Sequence, residues 1–357
     1  MKKILILLII LYPIKVFSIN DTSHSSIVMD IDSGRILYQH DSNTERLIAS
    51  TTKLMTFLVT VSYAYDKLDS EVTVGEEVLK MYGTNMYLSL NERLTLKDLL
   101  YGLILRSGND ASVVISKYVA GDIDNFVYLM NLKAIEIGMT NTKFSNPHGL
   151  DEETKNYSTA YDLGVLTRYL FLNYPIFKEI AGTKYYDFKS NLKSYNLVNR
   201  SKIIFTYKNI LTAKNGYTPN SGKCLVTTAS NNDLNLLIVT LDDFDIYSNH
   251  ERLYNYYFNK YKNKVILNKD TFKVPNYYIK NNYSYPLTKE EITKIDTQIL
   301  LDNKNNGTVE VLLDNKIIHK EVLYKIENKN NSLLNKIKKY LEKIGNNLSF
   351  KKKVCYH

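Results

Sequence analysis

The pattern of hydrophobic and polar positions along this 357-residue chain predicts strands, then helices, then strands again. Residues 26–31 and 35–38 alternate with a period of two on either side of an Asp-Ser-Gly turn, which predicts a β-hairpin. Apolar residues then recur at helical spacing and predict helices at 54–68, 95–105, 109–120, 122–138 and 159–173. Alternation returns at 223–229 and 234–241. This order of elements predicts one layered α+β domain over residues 19–262.

The pattern changes near residue 263, where short alternating runs separated by Asn-rich turns replace the longer elements. Residues 308–313 and 316–322 are clear examples of these runs. They predict a small all-β domain at 263–329. The length of the chain is sufficient for two domains of this kind.

The first 18 residues have the layout of a secretory signal peptide. Met1-Lys2-Lys3 precedes an apolar run at 4–12, and Val16-Phe17-Ser18 follows close to the expected cleavage site. The run has less than half of the ~20 residues that a membrane-spanning helix needs, which disfavours a retained anchor. We expect cleavage after Ser18 and export of the protein. The Asn-, Lys- and Ile-rich composition indicates a bacterial cell envelope, with the periplasm and the outer face of the cytoplasmic membrane both open.

The segment 330–357 places apolar residues at helical spacing with lysines between them. An apolar stripe beside a basic face is typical of a helix that lies on an anionic membrane surface. The alternative is a helix packed on its own domain with a solvated lysine face. The three consecutive lysines at 351–353 favour peripheral membrane association.

The formal net charge of +9 is concentrated at the two ends of the chain. Residues 1–18 carry +3 and residues 331–357 carry +6, so that residues 19–330 are neutral. A nucleic-acid-binding protein needs its positive charge on the folded body, so this class is disfavoured. Two cysteines are too few for a disulfide-built scaffold. Cys224 lies in an apolar strand and is expected in the core, and Cys355 is expected to be a free thiol in the tail.

The first segment with candidate catalytic residues is Ser50-Thr51-Thr52-Lys53, at the start of a predicted helix. Residues i and i+3 share a helix face, so the hydroxyl and the amine can meet. Serine needs an adjacent base to act as a nucleophile, and lysine becomes a base when burial or a nearby cation lowers its pKa. The spacing alone is weak, because Ser190 and Lys193 share it and serine is a common helix cap.

The second segment is Ser107-Gly108-Asn109, which falls between two predicted helices. Its serine could relay protons and its amide could hold a substrate carbonyl. Taken alone it is more typical of a helix cap, with Asn109 or Asp110 starting the next helix.

The third segment is Lys214-Asn215-Gly216-Tyr217, which leads into the late strand pair. A glycine in a strand permits close approach of another backbone. The lysine offers a point charge for a carboxylate. Without further context, an ordinary surface strand explains this segment equally well.

In this order and spacing, the three segments resemble the motifs of the penicillin-recognising serine peptidases. Within that group the chain resembles the D-alanyl-D-alanine carboxypeptidases, the low-molecular-mass penicillin-binding proteins. The resemblance covers residues 20 to about 260, and the matching context lies at 49–56, 105–111, 146–151, 157–163 and 216–219. It implies a β-lactamase/transpeptidase-like domain, an antiparallel sheet with a helical cluster. The β domain and basic amphipathic helix after it fit the family in layout alone.

The resemblance also implies a role for each matched residue. Ser50 would form an acyl-enzyme with the penultimate D-alanine of a peptidoglycan stem peptide, and Lys53 would accept its proton. Ser107 would pass a proton to the leaving D-alanine, and Asn109 would position Lys53 and the substrate amide. Lys214 would bind the terminal carboxylate, and the backbone N–H groups of Ser50 and Tyr217 would form the oxyanion hole beside Gly216. β-Lactams would be inhibitors, and no metal or cofactor would be needed.

One position departs from the family pattern, because its third motif normally reads Lys-Thr-Gly and here the middle residue is Asn215. An amide can donate hydrogen bonds as the threonine hydroxyl does, although it suits a strand less well. We expect activity with altered affinity. A catalytically impaired protein that only binds peptidoglycan is the alternative.

Two further readings stay open at this point. A β-lactam hydrolase would share the three motifs and activate water with a carboxylate and an amide, for which Glu152 and Asn156 have a suggestive spacing. We interpret that spacing as coincidental because it follows the His148-Gly149 turn, which belongs to the carboxypeptidase pattern. His148 itself is expected to be structural. A DD-endopeptidase that cleaves cross-links is the second reading.

Overall fold

The computed structural model describes residues 19–302 and 307–326, together with Ile337, Lys338 and Tyr340. The chain divides into two compact units, with the boundary between Asn263 and Lys264. The predicted signal peptide at 1–18, Cys355 and nearly all of the predicted helix at 330–357 lie outside the described residues. Of the helices in the described part of the chain, none combines the length and apolar character needed to cross a membrane.

Eleven strands lie entirely within the described part of the first unit. They are β1 (Ser23–Asp30), β2 (Ile36–His40), β3 (Arg46–Leu47), β4 (Glu71–Thr73), β5 (Arg93–Thr95), β6 (Tyr157–Ser158), β7 (Tyr185–Lys189), β8 (Ser194–Val198), β9 (Ile210–Thr218), β10 (Gly222–Asn231) and β11 (Leu234–Asp243). Five of them form an antiparallel sheet in the order β2-β1-β11-β10-β9. The others form the two-stranded pairs β3-β6, β4-β5 and β7-β8.

Eight α-helices accompany these strands in the described residues. They are α1 (Lys53–Tyr63), α2 (Leu96–Tyr101), α3 (Asn109–Ala120), α4 (Ile123–Glu136), α5 (Ala160–Asn173), α6 (Pro175–Gly182), α7 (Ile203–Thr206) and α8 (Ile246–Lys260). The five predicted helices correspond to α1–α5, with small shifts at their ends. For example, α1 ends at Tyr63 because Ala64 leaves helical geometry, with φ −140°.

The central sheet is buried on both faces because successive side chains of a strand point in opposite directions. On β1, Ile27 and Met29 join the large core formed with the helical cluster. Val28 between them joins a second core, where it packs with aromatic side chains of α8 such as Tyr254. The arrangement is three-layered, with helices on either side of one sheet, and the predicted α+β class is confirmed.

The second unit is built from strands, as its alternating sequence predicts. Its elements are β12 (Lys262–Leu267), which crosses the boundary, and β13 (Tyr277–Tyr278), β14 (Tyr283–Leu287), β15 (Ile295–Leu301), β16 (Gly307–Leu313) and β17 (Lys316–Lys325). They form a four-stranded sheet, β13-β17-β16-β15, and the pair β12-β14. Its small core includes Val309, Val311 and Leu323.

Candidate active site

The reactive serine predicted from the sequence lies in a 3₁₀ turn, Ala49–Thr52, which continues directly into α1. Two glycine backbones press against this turn. A Cβ atom on Gly149, whose φ is +91°, would collide with the carbonyl oxygen of Ala49. A Cβ atom on Gly216 would lie 2.8 Å from the backbone nitrogen of Ser50. Gly216 therefore permits the close approach that places the Ser50 N–H beside strand β9, and Gly149 permits its own loop to pack against the same turn.

The amine of Lys53 is completely buried and contacts three oxygen atoms. Its Nζ lies 2.9 Å from Ser50 Oγ, 2.7 Å from Asn109 Oδ1 and 2.6 Å from the carbonyl oxygen of His148. The last two atoms can only accept hydrogen bonds, whereas a hydroxyl can donate or accept. A neutral amine has two N–H groups and one lone pair. Once the carbonyl oxygens take both N–H groups, the lone pair points at the Ser50 hydroxyl.

Burial and the nearby Lys214 hold the pKa of Lys53 well below its usual value, and Asp110 opposes this effect. A buried ammonium is costly when no carboxylate contacts it. The geometry and the lowered pKa together favour the neutral amine, which is the form that can accept a proton from serine.

Ser107 is held in an unusual backbone conformation. It follows a π-helical turn at Gly102–Arg106 that ends α2, and it adopts φ +60° in the left-handed region. Both features are uncommon for a serine, and both are known to concentrate at functional sites. Ser107 Oγ accepts a hydrogen bond from Lys214 Nζ at 3.0 Å.

Asn109 is the first residue of α3, but its side chain does not cap the helix. Oδ1 accepts from Lys53, and Nδ2 donates to the carbonyl oxygen of Tyr82 at 2.8 Å. The amide is thereby oriented with its oxygen toward the lysine. The neighbouring Asp110 accepts from the backbone N–H groups of Met86 and Leu88 at 2.9 and 3.0 Å, which secures the preceding loop beside the site.

Lys214 lies on β9 and is 1% exposed. Besides Ser107, its Nζ donates to the carbonyl oxygen of Asn215 at 2.6 Å. Burial and the nearby Arg200 lower the pKa of Lys214 to about 7. The site thus contains two lysine amines, Lys53 and Lys214, whose proton affinity is reduced by burial and by a neighbouring cation.

Asn215 and Tyr217 lie on the opposite face of β9 from Lys214, as strand alternation requires. Asn215 Oδ1 accepts from Ser201 Oγ at 3.2 Å. Its Nδ2 group has no acceptor among the described residues and can donate to a ligand. The side chain of Tyr217 is exposed. Its backbone lies next to Gly216 and therefore close to Ser50.

The turn with His148 supports the site through its backbone. His148 Nδ1 accepts from the N–H of Leu150 at 3.1 Å, while the carbonyl oxygen accepts from Lys53. Burial and the neighbouring Lys53 lower the pKa of His148 to about 3, so that its imidazole is neutral at physiological pH. The structural role expected for His148 is borne out by these contacts.

Glu152 and Asn156 are not arranged to activate a water molecule together. Glu152 is exposed. Its carboxylate interacts with Tyr82, whose pKa is raised by desolvation and by the hydrogen bond with Glu152. Asn156 is buried, where its Nδ2 donates to Thr52 Oγ1 at 2.9 Å and its Oδ1 accepts from the backbone of Ser145 at 2.7 Å. The Asn156 amide therefore fixes a loop, and the interpretation of this spacing as coincidental agrees with the geometry.

The structure brings together Ser50, Lys53, Ser107, Asn109, Lys214 and Gly216, which come from three separate parts of the chain. Sequence reasoning missed the contribution of the His148 carbonyl and of Arg200, because neither a backbone carbonyl nor an isolated arginine has a motif. Cys224 is fully buried, as expected. In the described part of the chain, no group of three or more His, Cys, Asp or Glu side chains is placed to hold a metal ion.

The fold and the Ser50–Lys53 pair indicate a serine peptidase, and comparison with known families supports this class. Residues 16–245 match the peptidase S11 family, described as D-alanyl-D-alanine carboxypeptidase. The chain belongs to this family, and the resemblance predicted from its motifs is confirmed.

Among its relatives is the D-alanyl-D-alanine carboxypeptidase DacF of Bacillus subtilis, 35% identical over 221 residues. That alignment covers 60% of this chain and 56% of the relative, so this chain matches just over half of its length. The D-alanyl-D-alanine endopeptidase of Escherichia coli is 30% identical over 232 residues, which are 63% of this chain and 73% of that protein. Penicillin-binding protein 5 of Haemophilus influenzae superposes with a TM-score of 0.75 at 25% identity, covering 87% and 98% of the two chains.

Proposed function

We propose that this protein is a serine-type D-alanyl-D-alanine carboxypeptidase that removes the terminal D-alanine from peptidoglycan stem pentapeptides. The observation that carries the proposal is the contact between the buried Lys53 amine and the Ser50 hydroxyl at 2.9 Å. The other two partners of that amine are carbonyl oxygens. This arrangement supplies a nucleophile and a base for acyl transfer.

In the first step, Ser50 Oγ attacks the carbonyl carbon of the penultimate D-alanine while its proton moves to the lone pair of Lys53. The backbone N–H groups of Ser50 and Tyr217 donate to the oxyanion. The contact of Gly216 with the Ser50 backbone supports this pairing, because it brings both donors to one place. Preorganised donors of this kind each contribute roughly 2.7–4 kcal/mol in comparable enzymes.

In the second step, the C–N bond breaks and the leaving amine of D-alanine needs a proton. Ser107, whose hydroxyl accepts from Lys214 Nζ, relays the proton that Lys53 took from Ser50, so that the Ser107 hydroxyl is restored and Lys53 is neutral again. Lys214 and Asn215 bind the carboxylate of the same D-alanine. Water then attacks the acyl carbonyl while the neutral Lys53 takes its proton. The bond to Ser50 Oγ breaks, Lys53 returns the proton to Ser50, and the shortened peptide is released.

The setting that we propose is the bacterial cell envelope. The signal-like segment at 1–18 supports export, and the basic amphipathic segment at 330–357 supports peripheral binding to an anionic membrane surface. Peptidoglycan stem peptides are the substrate and β-lactams are the inhibitors in this proposal.

Intact-mass measurement of the full chain with penicillin over several hours tests the mechanism, with Ser50→Ala as control. We expect one drug molecule per chain, stable for hours and absent from the control, and release of D-alanine from a pentapeptide. A short-lived adduct with consumption of the drug would indicate a β-lactam hydrolase. The absence of any adduct would contradict both enzyme readings and indicate a binding protein with an impaired site.

The relative named as an endopeptidase justifies a second assay. A cross-linked peptide dimer and a pentapeptide are offered to the enzyme in separate reactions. We expect free D-alanine from the pentapeptide at a higher kcat/KM than cleavage of the dimer. The opposite ratio would assign the chain to cross-link cleavage, with the same Ser50 acyl-enzyme.

A further inference from the structure

A cleft of about 330 Å³ lies beside the part of β9 that follows Lys214, and the proposed mechanism does not use its far side, which contains Lys223 and Phe244. Asn215 and Tyr217 form its β9 wall, and Lys223 on β10 lies next to them, since Lys223 and Tyr217 are paired across the two strands. The segment that begins α8 closes the other side with Phe244, Asp245 and Tyr247. Gly216 also lines the cleft, so it continues directly from the reactive serine.

The walls of this cleft are mainly apolar, and its unbalanced charge is positive. The rings of Tyr217 and Phe244 are 64% and 71% exposed. Lys223 Nζ donates to the carbonyl oxygen of Phe244 at 3.1 Å, and no carboxylate contacts it within residues 19–302 and 307–326. The carboxylate of Asp245, in contrast, already lies 3.3 Å from Arg252 and accepts from Ser248 at 2.9 Å. These features suit an aliphatic chain that ends in a carboxylate.

The direction of the substrate places one particular residue at this cleft, and this step rests on the proposed function. With the terminal carboxylate at Lys214 and the scissile carbonyl at Ser50, the acyl side of the peptide runs toward Tyr217 and Thr218. Strand β9 is at the edge of its sheet, so a peptide can lie along it. A peptide in that position presents alternate side chains to opposite faces, one toward Ser50 and the other toward the cleft.

We propose that the cleft binds the side chain of the stem-peptide residue that precedes D-alanyl-D-alanine, and that Lys223 selects side chains ending in a carboxylate. The aromatic walls contact the methylene groups of that side chain. Lys223 is then a specificity-determining residue on the acyl side, distinct from Lys214 on the leaving-group side.

The test uses two pentapeptides that differ in a single group. One has meso-diaminopimelate at its third position, and the other has the same residue with its side-chain carboxylate converted to a carboxamide. Dissociation constants are measured by calorimetry on the full-length Ser50→Ala variant, which binds without turnover. We expect the carboxylate peptide to bind three- to ten-fold more tightly, roughly the value of one partly solvated charge-assisted contact.

Two substitutions in the same background assign the preference to Lys223. Lys223→Met is expected to bind both peptides equally, whereas Lys223→Arg is expected to keep the preference because it keeps the charge. Lys189→Met, at an exposed lysine on β7 that does not line the cleft, is the matched control and is expected to keep the full preference.

Equal affinity of the two peptides for the Ser50→Ala chain, or a preference that survives Lys223→Met, would overturn the inference. Release of D-alanine from the carboxamide peptide by the unsubstituted chain tests the proposed function separately. A chain that prefers the carboxylate peptide in binding but releases no D-alanine from either would contradict the proposed reaction and still support the cleft assignment.

Discussion

Ser50 and Lys53 have the same sequence spacing as Ser190 and Lys193, but the fold gives the two pairs different surroundings. Ser190 lies in the turn between β7 and β8, where its hydroxyl donates to Glu92 Oε1 at 2.6 Å. The side chain of Lys193 is 37% exposed, and its ammonium lies 3.5 Å from Glu92 Oε2. The amine of Lys53 is buried among neutral oxygens, with a second lysine nearby.

The partner of the lysine, and not its spacing from serine, therefore decides whether the amine can act as a base. A carboxylate next to an amine stabilises its protonated form, and a protonated amine cannot act as a base. Neutral acceptors, burial and a nearby cation have the opposite effect. The motif is therefore active only where the fold withholds a carboxylate from the lysine.

The largest effect is expected from removing the amine that the comparison identifies as the base. Lys53→Met should slow acylation of Ser50 by penicillin by about 10³-fold, within the usual range for loss of a general base. Stopped-flow or gel-based measurement of the acylation rate checks this. Lys193→Met is the matched control with the same spacing, and an equal loss in that variant would contradict the distinction between the two pairs.

The second prediction concerns a substitution that gives Lys53 a carboxylate neighbour, as Lys193 already has. Asn109→Asp places a carboxylate where Oδ1 now lies 2.7 Å from the amine, which should raise the pKa of Lys53. We expect acylation at pH 7 to fall about 100-fold and to recover roughly ten-fold for each unit of rising pH, as the amine loses its proton. A loss that does not depend on pH would indicate damage to the loop near Tyr82 instead.

The third prediction concerns the second lysine of the site. The pKa of Lys214 is lowered to about 7, so its charge, which the proposed carboxylate contact requires, is present below that pH and lost above it. The kcat/KM for a pentapeptide should therefore fall about ten-fold at one pH unit above the pKa. Lys214→Arg, which stays protonated, should remove the fall. An unchanged alkaline limb in that variant would exclude Lys214 as its origin.

The smallest effect is expected where the third motif departs from the family pattern. Asn215→Thr restores the usual residue, but the Asn215 Nδ2 group, which has no acceptor among the described residues, can already donate to a ligand, and Oδ1 accepts from Ser201. We expect kcat/KM to change by no more than about five-fold, the equivalent of roughly 1 kcal/mol. A gain of 100-fold or more would mean that Asn215 impairs the natural enzyme.

Elements with a clear period could be predicted from the sequence. The predicted helix at 109–120 coincides with α3, and the predicted strand at 234–241 lies within β11. Helix α8 was not predicted, because its buried face combines the polar Asn249 and His250 with the aromatic Tyr254, Tyr257 and Phe258. In a chain with 30 tyrosines such residues do not mark one face of a helix clearly.

The motifs of the site could also be recognised, although the contacts that activate them could not. Nothing in the sequence indicates that the carbonyl oxygen of His148 would reach Lys53 from 95 residues away. The sequence also gives no indication of the positive φ of Ser107, since this conformation depends on the π-helical turn before it. Hydrogen-bond partners that are distant in sequence, and backbone angles that depend on neighbouring elements, are set by the whole fold and cannot be read from a short segment.

The partners of the Lys53 amine lie 56 and 95 residues away in sequence, and the contact of Lys214 with Ser107 spans 107 residues. In an unfolded chain each lysine is solvated and protonated, and Ser50 is an ordinary alcohol. Contacts between such distant segments carry a large loop-closure cost and are slow to form. Under the proposed mechanism, the nucleophile is therefore assembled only when folding is complete. Penicillin would then label only molecules that have folded completely. The rate at which newly made chains become labelled would therefore report the rate of folding.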